Sequence, residues 1–401
     1  MDPSQQDESQ MPNTVYDHET DVLMNDNEHN FSVSKPQDMG GSIYYEVQGQ
    51  DRQGSWEGKR RYNEFFVLNE VLVRRFPGVP LPILPEKKAI GNKDLLFLQD
   101  RTFYLQRYLR KLARYEFILE SQEFQLFSRP QGQDIQKSLE KLVPMSTMQK
   151  FERLANITSI DISNYDVMKK EQYGSKITEF MYFYKVVQPL LTKLKGQTAQ
   201  MMRTKLNTIQ SYQDLYRCAQ RYEDMNLQHY TDMNTAELLL TNPDNAMVFQ
   251  NLNEVANSLQ NPYIDIYHWA KGEIFDQEAV NNSVKERNRC EQKIRELEKT
   301  KRETQQDLQD VQDGRKTLTT LFKDKSDTGN LANKIESLER EIEAMQKLTD
   351  LLTIYLCERV IPSYKKEKLG LYNRILTQIQ VIEISNAHQL ASFWSKVLAI
   401  E

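Results

Sequence analysis

The chain has 401 residues, of which 39% are hydrophobic and 27% charged, with 14 glycines and a formal net charge of -5, a balance that fits long amphipathic helices better than a compact catalytic domain. Cys218, Cys290 and Cys357 lie too far apart for a disulfide framework, and neither they nor His18, His29, His229, His268 and His388 show metal-ligand spacing, so reduced, cytosolic thiols and no metal are expected. No apolar run of about 18 residues and no basic-then-apolar leader is present, so neither a membrane span nor export is expected, and any membrane contact must be peripheral.

Charge is unevenly spread. Residues 1–30 hold acids and no Lys or Arg, and this acidic, Asn- and Gln-rich segment reads as a disordered tail. Residues 31–130 carry a basic excess, so the net charge of the whole chain says little about any one surface. From Phe31 to about Phe66, short aromatic and β-branched runs are separated by Gly40-Gly41 and by Asp51-Arg52-Gln53-Gly54, the pattern of an antiparallel meander. A helical period follows from Asn63 to Phe76 and stops at Phe76-Pro77-Gly78. Pro77, Pro80, Pro82 and Pro85 then predict an extended, semi-rigid loop that holds Val79, Leu81, Ile83 and Leu84. Helical pattern resumes over Asp94–Leu112, and a shorter helical segment ends near Phe127.

Residues 131–160 read as a linker. Within it Ile135–Ile157 has apolar residues three and four apart, interrupted by Pro144, which predicts a kinked or two-piece amphipathic helix able to lie on a membrane or on a neighbouring element. Three long helices are expected at about 168–240, 246–322 and 330–398. A heptad seam runs through Cys290, Ile294, Leu297, Lys301, Thr304, Leu308, Val311, Arg315, Leu318 and Phe322, and another through Leu331, Ile335, Leu338, Ile342 and Met345. Two short turns would give an up-down-up bundle. Tyr182, Phe183, Tyr263, Tyr267, Trp269 and Trp394 sit at helical spacing and read as core or dimer-interface residues.

The residues with the most pointed chemistry are Arg60-Arg61-Tyr62-Asn63-Glu64-Phe65, the loop end Leu84-Pro85-Glu86-Lys87-Lys88, and Arg101. Guanidinium forks suit phosphate oxygens, lysine adds a compact charge, and an aromatic ring packs on a sugar-like face. The order Arg61-Tyr62-x-x-Phe65, a Pro-x-x-Pro loop, Lys87, then Arg101 with Leu105, Tyr108, Leu109 and Leu112 resembles the PX domain over residues 31–130. The resemblance implies that Arg61 holds the 3-phosphate of a phosphatidylinositol and that Tyr62 packs on the inositol ring. It likewise implies that Lys87 meets the 1-phosphate and Arg101 the ring hydroxyls, as for phosphatidylinositol 3-phosphate. The stretch between Pro85 and Arg101 lacks the helical insertion with which some relatives bind protein cargo, which favours lipid. Val79, Leu81, Ile83 and Leu84 would form a membrane-insertion loop, with Arg60, Lys88 and Lys93 as accessory lipid contacts.

The C-terminal half, about 161–401, resembles the BAR module of sorting nexins at Cys357-Glu358-Arg359-Val360-Ile361-Pro362 and at Leu390-Ala391-Ser392-Phe393-Trp394. That resemblance implies a homodimer or a heterodimer with another PX-BAR sorting nexin, and a basic membrane face. Arg295, Lys299, Lys301, Arg302, Lys316, Lys323 and Lys325 are its candidates, against the plain reading of a solvated helix face. The expected fold is thus an α+β PX domain followed by an all-α, elongated three-helix BAR bundle. The expected function is phosphatidylinositol 3-phosphate binding and curvature sensing on the cytosolic face of early endosomes, without catalysis, cofactor or nucleic acid. The alternative is a coiled-coil scaffold whose PX fold binds protein partners.

Overall fold

The computed structural model describes residues 31–87, 95–227, 229, 254–255, 257–313 and 328–398. The acidic segment 1–30, both Lys88 and Lys93, and Lys316, Lys323 and Lys325 lie outside the described residues.

Strands β1 (Phe31–Met39), β2 (Ser42–Asp51) and β3 (Gly54–Arg61) form an antiparallel sheet in the order β1-β2-β3, as the turn signals require. Gly40 and Gly41 take φ of +62° and +83°, the left-handed pair of a tight hairpin turn whose twist matches its strands. The β1–β2 register shifts between Ser34 and Gln37, around Pro36, which has no N–H to give the ladder. β1 is an edge strand and tolerates the shift. Helices α1 (Tyr62–Arg75), α2 (Leu95–Leu112), α3 (Glu116–Leu119), α4 (Gln122–Ser128), α5 (Ile135–Glu140) and α6 (Thr147–Thr158) follow. Phe65, Leu68, Leu72, Leu105, Leu109, Phe124 and Phe127 are fully buried between sheet and helices.

The linker expectation resolves into two helices, α5 and α6, on either side of Pro144. Both lie on the protein's own surface. Ile135 and Leu139 of α5 and Leu154 of α6 enter the same core as the sheet, together with Leu348, Leu351 and Leu352. The apolar stripe of this segment is therefore occupied.

The long helices are α7 (Val167–Tyr222, followed by a π turn at Glu223–Leu227), α8 (Tyr263–Gln312), α9 (Thr328–Tyr355) and α10 (Ile361–Leu398). A π turn at Leu356–Val360 joins α9 to α10, and its cap bond runs from Ile361 N–H to Leu356 O. Pro362 explains it. Its ring would collide with the carbonyl four residues back in a regular α-helix, and the wider turn relieves that collision. Helix α8 starts at Tyr263 because Pro262 forces Asn261 out of helical geometry, and Asn261 then caps that start by accepting Tyr263 N–H at 3.2 Å; the expected start near 246 lies outside the described residues.

The chain divides into two compact units, Met1–Lys185 with Phe275–Lys365, and Val186–Ile274 with Lys366–Glu401. In the first, Tyr173, Ile177 and Phe180 of α7 pack with Val280 and Val284 of α8 and with Ile354, Leu356 and Ile361. Arg287 meets Thr353 and Lys301 meets Glu339, so α8 and α9 run antiparallel. The heptad residues Cys290, Thr304, Val311 and Leu331 are buried there, and the other described positions of both seams are half-buried, while Arg315, Leu318 and Phe322 lie outside the described residues. In the second unit Lys205 pairs with Glu383, and Asp265 accepts from Gln378. Lys368 pairs with Glu273, so the up-down-up order holds in that unit too. No described helix is long and apolar enough to cross a membrane.

Candidate functional site

Side chains alternate across a strand, and at the end of β3 this sends Arg60 and Arg61 to opposite faces. Arg60 is buried. Its Nε donates to Phe127 O at 2.8 Å, Nη2 to Ser128 O at 2.9 Å and Nη1 to Lys59 O at 3.0 Å. It therefore satisfies the orphan carbonyls at the C-terminus of α4, and the expectation that it contacts lipid is corrected: its donors are spent on the fold.

Arg61 caps α1. Its backbone N–H donates to Glu64 Oε2 at 2.7 Å, while its guanidinium stands 5.8 Å from the ring centre of Tyr44, its cross-strand partner. Helix N-termini favour anions, because unpaired N–H groups and the helix dipole converge there. Tyr62 donates its hydroxyl to Pro85 O. Burial raises the Tyr62 phenol pKa, with the Arg101 charge opposing. Arg101 lies between two rings, 4.5 Å from Tyr62 and 4.2 Å from Phe97, and donates Nη2 to Glu86 O at 3.1 Å. Lys87 donates to Asn63 Oδ1 at 3.3 Å and sits 5.0 Å from the Phe66 ring centre.

The four sequence candidates thus gather at the N-terminus of α1. Both Nε of Arg61 and Nε of Arg101 are buried donors without a hydrogen-bond partner among the described residues. A buried unpaired donor costs free energy, so two of them in one basic cluster mark a place suited to an acceptor-rich anion. Tyr44, Asn63, Phe66 and Phe97 complete the surroundings and were not singled out as site residues. The Asp51–Gly54 turn fixes the β2–β3 register and so carried a signal for Tyr44. Phe97 carried none, because its role depends on where α2 docks.

The PX domain family pattern matches residues 49–131. Over 99 residues the chain is 35% identical to sorting nexin-8 of Mus musculus, covering 25% of this chain and 21% of that protein. Over 69 residues it is 35% identical to vacuolar protein sorting-associated protein vps5 of Schizosaccharomyces pombe, covering 17% of this chain and 12% of that protein. This chain carries a PX domain, similar in sequence to those of sorting nexins. The matched stretch spans about a fifth of the length of sorting nexin-8. A cryo-EM structure of the SNX-BAR Mvp1 tetramer superimposes with a TM-score of 0.57 at 15% identity, over 92% of this chain and 99% of that one. The long helices after the PX domain therefore share the SNX-BAR fold.

The proline-rich loop of the PX domain differs from expectation. Val79 and Leu81 are each only 6% exposed and belong to the core, so they are not insertion residues in this conformation. Ile83 and Leu84 are half-buried, Leu84 against that core. The reversal has a physical cause: Gly78, at φ +74°, turns the chain back beside Leu352 of α9, and Tyr115 donates to Pro80 O at 3.0 Å.

Of the four helical basic candidates among the described residues, three are engaged with neighbours. Lys299 pairs with Glu303 and Lys301 with Glu339, and Arg302 Nε donates to Glu298 O at 3.3 Å. Arg295 is exposed. These side chains share their surface with acids, which matches a solvated helix face.

Proposed function

We infer that this protein binds 3-phosphorylated phosphatidylinositol on a membrane surface through Arg61, Tyr62, Lys87 and Arg101, and that its helical module assembles with a second copy or a related chain. Residues 31–130 would read lipid and 161–401 would dimerise. The carrying observation is the pair of buried, unpartnered guanidinium Nε donors, on Arg61 and Arg101, in a cluster of three cations at a helix N-terminus. The PX resemblance implies the proposed roles, and the chemistry of each side chain is compatible with them: Arg61 takes the 3-phosphate, Tyr62 offers a ring face to inositol, Lys87 meets the 1-phosphate, and Arg101 donates to ring hydroxyls. A site of this kind binds modestly by itself, and two sites in one assembly add avidity on the same membrane. Exposed apolar side chains on the helices, including Tyr182 at 71% and Leu369 at 67%, support assembly with another chain. In this reading the protein acts in endosomal sorting and recycling, and a curved assembly would favour tubules.

The test is cosedimentation with liposomes of varied phosphoinositide content and diameter. Wild type is expected to prefer phosphatidylinositol 3-phosphate, and Arg61→Ala to lose that preference, by about tenfold or more for a charge-assisted pair, while keeping its oligomeric state. Binding unchanged by Arg61→Ala would favour a protein-binding scaffold instead.

A further inference from the structure

The PX match ends at residue 131, but the hydrogen bonds that hold Lys87 continue past it. Asn63 accepts from Lys87 Nζ through Oδ1 at 3.3 Å and donates through Nδ2 to Gln136 Oε1 at 2.8 Å. Gln136 then donates Nε2 to Glu140 Oε1 at 2.9 Å. An amide has one acceptor end and one donor end. Because Gln136 presents an oxygen, the NH₂ of Asn63 must face it, and the carbonyl oxygen must face the ammonium. A flipped Asn63 would set its NH₂ against Lys87, so Gln136 determines which way Asn63 points.

The helix that carries Gln136 is firmly seated. Ile135 and Leu139 are 5% and 1% exposed and share the core with Phe65, Leu68 and Leu72. Asp134 caps α5 by accepting Lys137 N–H at 3.0 Å. Its carboxyl is held below its ordinary pKa, first by that N–H and further by the charges of Lys137 and Arg61. Helix α5 therefore stands beside both the arginine and the lysine of the cluster.

We propose that Gln136 is a positioning residue of the headgroup site, acting through Asn63 to hold the Lys87 ammonium where a phosphate is read. The inference rests on the proposed lipid-binding function. Lysine is a point charge on a flexible stem that loses rotamer freedom when it engages a ligand. Anchoring it beforehand lowers that cost and tightens binding. Part of the site is thus built by the segment that follows the PX domain.

The test is calorimetric titration of the full chain with inositol 1,3-bisphosphate. Gln136→Ala and Asn63→Ala should each weaken binding by about two- to tenfold, the range of one ordinary hydrogen bond. Combining them should cost no more than the worse of the two, and Gln136→Ala should have no further effect in a Lys87→Ala background. Alanine suits a helix, so thermal unfolding of Gln136→Ala should match wild type, and Asn63→Ala tests the same chain of contacts from outside α5. Full affinity in Gln136→Ala while Arg61→Ala abolishes binding would overturn the inference alone. So would an undiminished Gln136→Ala loss in the Lys87→Ala background. If Arg61→Ala binds the probe as wild type does, the lipid-binding reading beneath it fails as well.

Discussion

Glu123 is a heavily committed carboxylate of the first unit: its side chain is wholly inaccessible, Arg75 Nε and Arg153 Nη1 both reach Oε1, and Arg153 Nη2 donates to Oε2 at 3.1 Å. Burial alone would raise its pKa, but the Arg153 hydrogen bonds, its backbone N–H and the two arginine charges outweigh burial and bring it to about 2. A carboxylate depressed in the folded state binds its proton first in the unfolded chain. Its stabilisation is therefore complete above about pH 4.5 and fades as pH falls toward about 2. A urea midpoint followed against pH should drop through that window, and Glu123→Gln should flatten the drop. At neutral pH the same variant should be about 2 kcal/mol less stable, since two partly buried guanidinium groups lose a fully buried counter-charge. Arg60 and Arg61 show how far sequence carries at this scale. The motif named Arg61, but strand alternation by itself does not say which of two adjacent arginines faces ligand. The decision comes from α4, whose carbonyl ends receive Arg60.

At the scale of elements, periodicity located the meander, α1, α2 and the heptad helices closely, because each has its own buried face. It left the partner of the 135–157 stripe open, since an amphipathic face looks alike whether it meets lipid or protein. The structure places α6 against α9, with Leu154 2% exposed and Thr147 donating its hydroxyl to Glu341. Leu154→Asp would put a charge into that contact. Hydrogen exchange should then lose protection across Thr147–Thr158, by at least tenfold, with β1–β3 unaffected. The break just before α8 is not part of the heptad pattern, because a heptad search does not weigh one Asn-Pro pair, although Asn261-Pro262 carries a sufficient local reason. The π turn before Pro362 is similarly local, yet its form depends on how α9 and α10 stay joined around a missing N–H.

For the whole molecule, fold class was legible from helix length and heptad phase, whereas surfaces between copies were only hinted at by aromatics. The structure separates them: Tyr263, Tyr267 and Trp269 are half-buried within the second unit, while Tyr182 and Trp394 stay 71% and 49% exposed. Replacing Tyr182 and Leu369 with Glu should shift the sedimentation coefficient toward monomer and weaken liposome binding by more than tenfold, with the affinity for a soluble headgroup unchanged. The loop from Pro77 to Pro85 has a mechanical consequence. At one end Gly78 rests beside Leu352 of a long helix, so closely that an added Cβ would come within 2.5 Å of Cδ2. At its other end Pro85 O accepts from the hydroxyl of Tyr62, a member of the basic cluster. Pro80, Pro82 and Pro85 make the segment between them slow to bend or shorten. If the proposed lipid site is engaged, a pull on it from a moving membrane would pass into the core that Val79 and Leu81 share with Leu352, so α9 would feel the load through packed side chains rather than through a slack tether.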